Sequence, residues 1–252
     1  VFSAAGLPRQ ATILPPITFP YNEDGSYYVM NGGEYIGVGG VNIASLSYPN
    51  AMAQQESFNK INTDRIIASG YAEVEPLKNL IVKSQFGVDY MLENEETFWD
   101  PEYGQGAGNN GYAWRTVDDL LSWTWTNTAN YNLAVKEHSF DFLLGMEAYS
   151  ESYGYDWINA SDIANKAYSG FRAGFNTNKA GGSEGSKSMI SYFGRINYDY
   201  KAKYMISANF RRDGLSALGA ESKWGNFWGV SAAWRVSEEP FFESLRNVVD
   251  ES

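Results

Sequence analysis

The chain has 252 residues, 16% of them aromatic, with 30 acidic and 19 basic side chains, a net charge of −11 and no cysteine. That length suffices for one or two ordinary domains with a sizeable core. The acidic balance excludes a nucleic-acid partner, which needs a basic patch. The missing thiols exclude a disulfide framework and thiolate metal or redox sites.

Residues 1–63 contain Pro8, Pro15, Pro16, Pro20 and Pro49 and the turn signals Asp24-Gly25 and Gly32-Gly33, without sustained alternation. They are expected to form a long loop region, and a loop of that length inside a compact domain points to function. Residues 65–75 read as a strand and 76–79 as a tight turn. Leu80, Val82, Phe86, Val88, Tyr90 and Leu92 then oppose Lys83, Gln85, Gly87, Asp89 and Glu93. This period-two pattern marks a strand with one apolar and one polar face. Residues 98–116, crowded with Gly and aromatics, are expected to be a loop. Leu121, Trp123, Trp125 and Ala129 begin a third strand, and 132–137 turns the chain. Phe140, Phe142, Leu144, Met146 and Ala148 mark a fourth. Residues 152–187 are expected to be a second long loop, with a short helix at 161–167 and a Gly/Ser-rich stretch at 181–186.

The clearest alternation follows. Ile190, Tyr192, Gly194, Ile196, Tyr198 and Tyr200 share one face against Ser191, Phe193, Arg195, Asn197 and Asp199. After a turn at 200–203, Tyr204, Ile206, Ala208 and Phe210 do the same, and beyond a medium loop so do Trp228, Val230, Ala232 and Trp234. Short connections at 76–79, 132–138 and 200–203 alternate with longer ones, the rhythm of an outer-membrane barrel with short periplasmic turns and long external loops. No run reaches the ~18 apolar residues of a spanning helix, so a membrane would have to be crossed by a barrel. Alternation alone fits a soluble barrel equally well, with its apolar faces inward. Turning Arg195 toward the bilayer midplane would cost roughly 2–4 kcal/mol. A lipid-facing apolar side is thus self-consistent, and such a wall would consist of Leu80, Val82, Phe86, Val88, Ile190, Tyr192, Ile196, Ile206, Trp228, Val230 and Trp234; the choice between the two barrels comes chiefly from the resemblance that follows.

These strands carry a family resemblance. SYFGRINYDYKAKY, RRDGLSALGAESKWGNF and SAAWRVSEEPFF resemble successive segments of the SusC/RagA-type TonB-dependent transporters of the Bacteroidetes outer membrane. Gly194-Arg195, Tyr198-x-Tyr200, Arg212-Asp213-Gly214, Trp224-Gly225, Trp234-Arg235 and Ser237-Glu238-Glu239 occur in the right order. YAEVEPLKNLIVKSQFGVDY and HSFDFLLGMEAYSES are similar to further family segments, as is the Pro-x-x-x-Asp-Gly-x-Tyr run from Pro20 to Tyr27. Leu215, Ala217 and Leu218 depart from it, standing where Ser, Arg and Phe are commoner.

The resemblance implies an all-β fold, part of a large, plugged, antiparallel transmembrane β-barrel of about 22 strands. In it, 1–63 is a long extracellular loop region and 64–252 supplies about seven strands with their loops. It implies a bacterial outer-membrane location and TonB-dependent import of a bulky nutrient, an oligosaccharide or peptide, under a SusD-like surface lipoprotein. TonB would act on a plug outside these residues. The first residues lack the regions of a signal peptide and the last stop where the family continues, so the chain is expected to be an internal piece. A passive porin or adhesin and a soluble carbohydrate-binding β-protein are the rival classes.

No enzyme motif is present. Glu93, Glu95, Glu96, Asp100 and Glu102 form an acidic run that suits paired-carboxylate chemistry or calcium, but the spacing matches no calcium loop and a solvated loop is the simpler reading. The cofactor expectation is none, with calcium in the loops left open. His138 is the one histidine, which excludes a multi-histidine metal site; it is read as a turn residue near the periplasmic rim. GQGAGNNG at 104–111 lacks the Lys-Ser/Thr and the βαβ setting of a phosphate loop and is read as a flexible external loop. The loop aromatics Trp99, Tyr103, Tyr112, Trp114, Tyr153, Tyr155 and Trp157 are the substrate-contact candidates, since aromatic faces stack on sugar rings or peptide side chains. Packing between loops, or contact with the lipoprotein, is the competing role. Arg212, Asp213 and Trp224 are read as ordering their own loop.

Overall fold

The structure, a computed structural model, describes residues 19–30, 50–219 and 221–245. Seven strands pair in chain order in one antiparallel sheet: β1 (Phe58–Leu77), β2 (Leu80–Trp99), β3 (Tyr112–Val135), β4 (His138–Ile163), β5 (Phe175–Tyr200), β6 (Tyr204–Leu215) and β7 (Trp224–Trp234). The all-β expectation is met, and the described helical pieces are 3-10 segments of three to six residues. Residues 1–18 and 31–49 of the expected loop region lie outside the described residues.

The strands are longer than the alternation suggests. β3 has 24 residues and β4 and β5 have 26 each. The expected loops shrink to residues 100–111 and 164–174, and β1 begins at Phe58, inside the region read as loop. No helix forms at 161–167, where 161–163 complete β4. The cause is physical: the backbone ladder continues where the two faces no longer meet different surroundings, so the alternation fades while the pairing persists. The Gly/Ser-rich run at 181–186 belongs to β5 for a second reason. The Trp157 ring fills the space above Gly181, and Tyr153 fills that above Gly185. Small residues there make room for large neighbours.

The first two short turns are tighter than expected, because 76–77 complete β1 and 132–135 complete β3. Residues 78–79 and 136–137 each join two strands, with Asn79 (φ 68°) and Lys136 (φ 54°) in the left-handed region. At 201–203, Lys201 and Ala202 both have positive φ, and the Ala202 amide donates to the Asp199 carboxylate at 2.8 Å.

The residues divide into two compact units. Of the described residues, the loop unit holds 19–30, 50–64, 91–119 and 154–184. Its core is Phe98, Ala113, Ile163 and Ala173, with Phe58, Phe171 and Phe175 packed around it. Pro20 to Tyr28 forms a small hairpin closed by the Tyr21–Tyr27 bridge, with Asp24 accepting from the Ser26 amide at 2.9 Å. Buried Asn50 donates to the carbonyls of Pro20 and Tyr28 at 2.7 and 3.1 Å and holds the hairpin. The Gly-rich 104–111 segment is an ordered 3-10 turn, Gly104–Asn109, with Gly106 pressed against the Asp100 carbonyl.

Of the described residues, the wall unit holds 65–90, 120–153, 185–219 and 221–245. Its β5–β6 register runs from Met189↔Leu215 to Tyr200↔Tyr204, and β6–β7 from Tyr204↔Trp234 to Gly214↔Trp224. Asn209 therefore lies between Arg195 and Gly229, and Ser207 between Asn197 and Ser231. Among its described residues Ser191 is the one fully buried polar or large side chain. This unit has no conventional core.

Candidate functional site

The two faces of the wall unit are chemically opposite. On one, Phe86 stacks on Trp123 at 6.1 Å, the Trp125 indole donates to Ser84 at 3.0 Å, and Tyr192 stacks on Trp224 at 6.5 Å. The wall residues assigned from sequence project from this face, because strand neighbours on one face alternate in step. Trp228 is 78% exposed and Val230 67%, while Phe86, Ile196, Ile206 and Trp234 are also open. Leu80, Val88 and Ile190 are half-buried by their neighbours.

At the short-turn end of that face the aromatics form a ribbon. His138 lies against Tyr198 and Tyr200, Phe140 against Tyr198, Tyr200 against Tyr204, Tyr204 against Trp234, and Trp234 against Phe241. His138 Nδ1 sits 2.8 Å from the Tyr198 hydroxyl. Glu239 accepts from the Tyr204 hydroxyl and the Trp234 indole, which hold its carboxyl below the ordinary range. Trp224, Tyr192 and Trp123 occupy the other end of the face. Rings with one polar edge suit a boundary between water and hydrocarbon. Along β6 the rows are about ten residues apart, roughly 33 Å of strand, or about 25 Å of thickness at a ~40° tilt, the height of a barrel's apolar band.

The opposite face is a hydrogen-bonded lattice. Arg211 Nε pairs with Asp213 at 2.7 Å, and its Nη2 reaches Glu147 at 3.2 Å and the Ser191 hydroxyl at 2.9 Å. Thr126 donates to Glu147 at 3.1 Å. Farther along, Asp141 accepts from Asn130 at 2.8 Å and Asn197 at 3.0 Å and lies 3.5 Å from Arg195, while Ser207 donates to Asn197 at 2.7 Å. Asp141, Asn197, Ser207 and Ser231 are among the residues that line a hollow of about 400 Å³. Arg65 grips Asp89 through two bonds of 2.9 and 2.6 Å. The Phe193 ring fills the space over Gly145, with the Arg211 guanidinium 5.5 Å from its centre. Sequence reasoning placed Glu147, Arg195 and Asp89 on this face but had no means of pairing them.

The substrate-contact candidates do not form one loop cluster. Trp99, Tyr112 and Trp114 lie in β2 and β3, and Tyr153, Tyr155 and Trp157 in β4; Tyr103 alone sits in a connection. Within the loop unit, Trp99 packs on Tyr112 at 5.2 Å and Tyr103 meets Tyr27 edge-on at 4.9 Å. Trp114 is exposed, Tyr155 half-buried, and Trp157 covers Gly181. In the wall unit, half-exposed Tyr153 covers Gly185. Arg212 stacks over Trp224 at 4.8 Å.

The acidic run also disperses. Glu93 takes Thr63, Glu95 takes Asn59, Glu96 takes Arg115 and Glu102 takes Lys166. Among the described residues no group of three carboxylate or histidine side chains converges on a metal-sized site. Asp100 caps its own turn, accepting from the amides of Glu102 at 2.8 Å and Tyr103 at 3.0 Å. Burial nevertheless pushes its carboxyl above the ordinary value, outweighing those amides.

The wall pattern can be set against known proteins. The TonB-dependent receptor P39 of Formosa agariphila is 30% identical over 193 residues, covering 74% of this chain and 18% of that protein. The SusC receptor of Bacteroides thetaiotaomicron is 23% identical over 185 residues, 69% of this chain and 17% of its own length. This chain is related to the SusC/RagA-type TonB-dependent receptors. Its fold matches the RagAB peptide importer in the open-open state, with a TM-score of 0.72 at 18% identity over 89% of this chain and 24% of that one. No protein-family model matches. The chain spans about a fifth of the length of the curated relatives it matches. The SusC-type relatives are receptors and transporters, not enzymes.

For this SusC-related segment two outcomes follow from the geometry. Arg211→Met strips Glu147, Asp213 and Ser191 of their shared donor and should cost about 1–3 kcal/mol in denaturant unfolding of the folded protein. Arg211→Lys should recover only part, because an ammonium lacks the planar fork. For Asp100, a folded-state pKa above the unfolded value means its contribution is present below about pH 4 and is lost as pH rises through the raised value. Asp100→Asn, which keeps the accepting oxygen, should remove that pH dependence from the exchange protection of the Glu102 and Tyr103 amides, corrected for intrinsic rate.

Proposed function

We propose that the chain is an internal stretch of barrel wall from an outer-membrane importer that takes up a bulky nutrient by a TonB-dependent mechanism. One observation carries this reading: in the described residues of the wall unit, a coreless sheet with an open apolar face edged by aromatics, and a charged face linked by hydrogen bonds and ion pairs behind it. In water that apolar face would be a liability; against acyl chains it is the stable arrangement. The soluble carbohydrate-binding alternative would bury this face, and in the described wall residues it is open. Kinship with SusC-type receptors supports energised import over passive diffusion.

The charged face then lines the bore, with Arg211, Glu147, Asp141 and Arg195 meeting water rather than lipid. The substrate is an oligosaccharide or peptide, and a SusD-like surface lipoprotein closes over the loop-bearing side. TonB engages a plug contributed by other residues of the full polypeptide.

The reading is tested in the full-length protein. Spin labels at Val82, Ile206 and Val230 should show the oxygen accessibility of acyl chains, and uptake of labelled oligomers should stop when TonB is deleted. Labels shielded from both lipid and water would defeat the wall assignment. Uptake indifferent to TonB would make the protein a porin.

A further inference from the structure

The loop unit contains a cationic pocket within an acidic chain. A hollow of about 370 Å³ brings together Phe58 and Lys60 from β1, Arg115 from β3, and Tyr168, Phe171 and Arg172 from the 164–174 connection. Lys60 Nζ lies 4.3 Å from the centre of the Phe58 ring, and the Arg115 guanidinium 5.2 Å from that of Phe171. Glu96 is the one carboxylate in the lining, and Arg115 already pairs with it at 2.8 Å. Among the described residues neither Lys60 nor Arg172 has a carboxylate partner, although the chain carries a surplus of 11 negative charges. Such an acidic chain offers many carboxylates for pairing, yet two cations here are left facing open space beside aromatic rings.

We propose that this pocket holds one acidic sugar unit of the imported oligomer, with Lys60 and Arg172 pairing its carboxylate or sulfate and Tyr168 and Phe171 flanking its ring. The proposal rests on the import reading and supplies its substrate class. Arginine and lysine on an open rim bind such anions through charge-assisted hydrogen bonds. Tyr168, 57% exposed, presents a flat ring rather than an enclosed apolar slot, which suits stacking better than burial of an aliphatic side chain. A volume of this size lies at the small end of ligand pockets and suits a terminal or single unit rather than a long stretch of polymer.

The test uses the purified full-length receptor and four probes: trigalacturonate, a sulfated carrageenan oligosaccharide, neutral maltotriose and triglutamate peptide. At least one of the two acidic sugars should bind, more weakly as salt rises, while maltotriose should not. Binding of trigalacturonate alone, or of the carrageenan alone, identifies carboxylate or sulfate as the group read. The double variant Lys60→Gln, Arg172→Gln should weaken that binding at least tenfold. Both side chains are exposed and without ion pairs, so the fold should persist, and unchanged melting of the variant checks this. Equal binding by the variant, no binding of either acidic sugar, or triglutamate binding as well as the sugars would overturn the proposal. TonB-dependent uptake of a neutral oligomer would leave the import reading standing in that event. Absence of any TonB-dependent uptake would remove the import reading without touching the binding result.

Discussion

The wall depends on a single constraint: a pleated strand sends successive side chains to opposite sides, so each strand must satisfy two surroundings at once. Among the described residues of the wall unit no long helix or other sheet supplies a second layer, and Ser191 is the one fully buried polar or large side chain. Stability must therefore come from the backbone ladder, from cross-strand pairs such as Arg211–Glu147 and Arg65–Asp89, and from whatever medium covers the apolar face. The side chains follow suit. The apolar face carries rings and branched chains that stack laterally, and the polar face links donors and acceptors across four consecutive strands, from Thr126 in β3 to Arg211 in β6.

The loop unit solves a different problem. Its strand ends carry little alternation, yet they are ordered by a small core around Phe98, by the Asn50 clasp on the Pro20–Tyr28 hairpin, and by the capped turn at Asp100. Asn110 and Asn176 both donate to Asp162, which adopts a positive φ of 62° at the end of β4. Polar side chains here do what the apolar face does elsewhere: they fix where each strand stops.

The strands of the wall were legible in sequence because their faces meet unlike surroundings. Ile206 beside Ser207, or Val230 beside Ser231, announces both a strand and its sidedness. Where that contrast ends, the signal ends too. Trp99, Tyr112 and Tyr155 read as loop residues although they are paired in strands, and the glycines at 181 and 185 read as linker because their role is to receive the rings of Trp157 and Tyr153. The sites were harder still. The partners of Arg211 lie 2, 20 and 64 residues away, and only the strand register brings them together. Lys60, Arg115 and Arg172 are likewise scattered over three elements, so no local window contains the pocket they form.

The aromatic rows at the two ends of the wall carry a further consequence for where such a sheet can reside. Their spacing sets a hydrophobic height, and a bilayer that differs from it must thin, thicken or force the strands to lean, at a fraction of a kcal/mol for every ångström of disagreement. A height of about 25 Å falls below that of the sterol-rich plasma membrane and close to that of the thinner bacterial outer membrane. The ladder from Tyr204 to Gly214 thus acts as a ruler that favours a membrane of matching thickness.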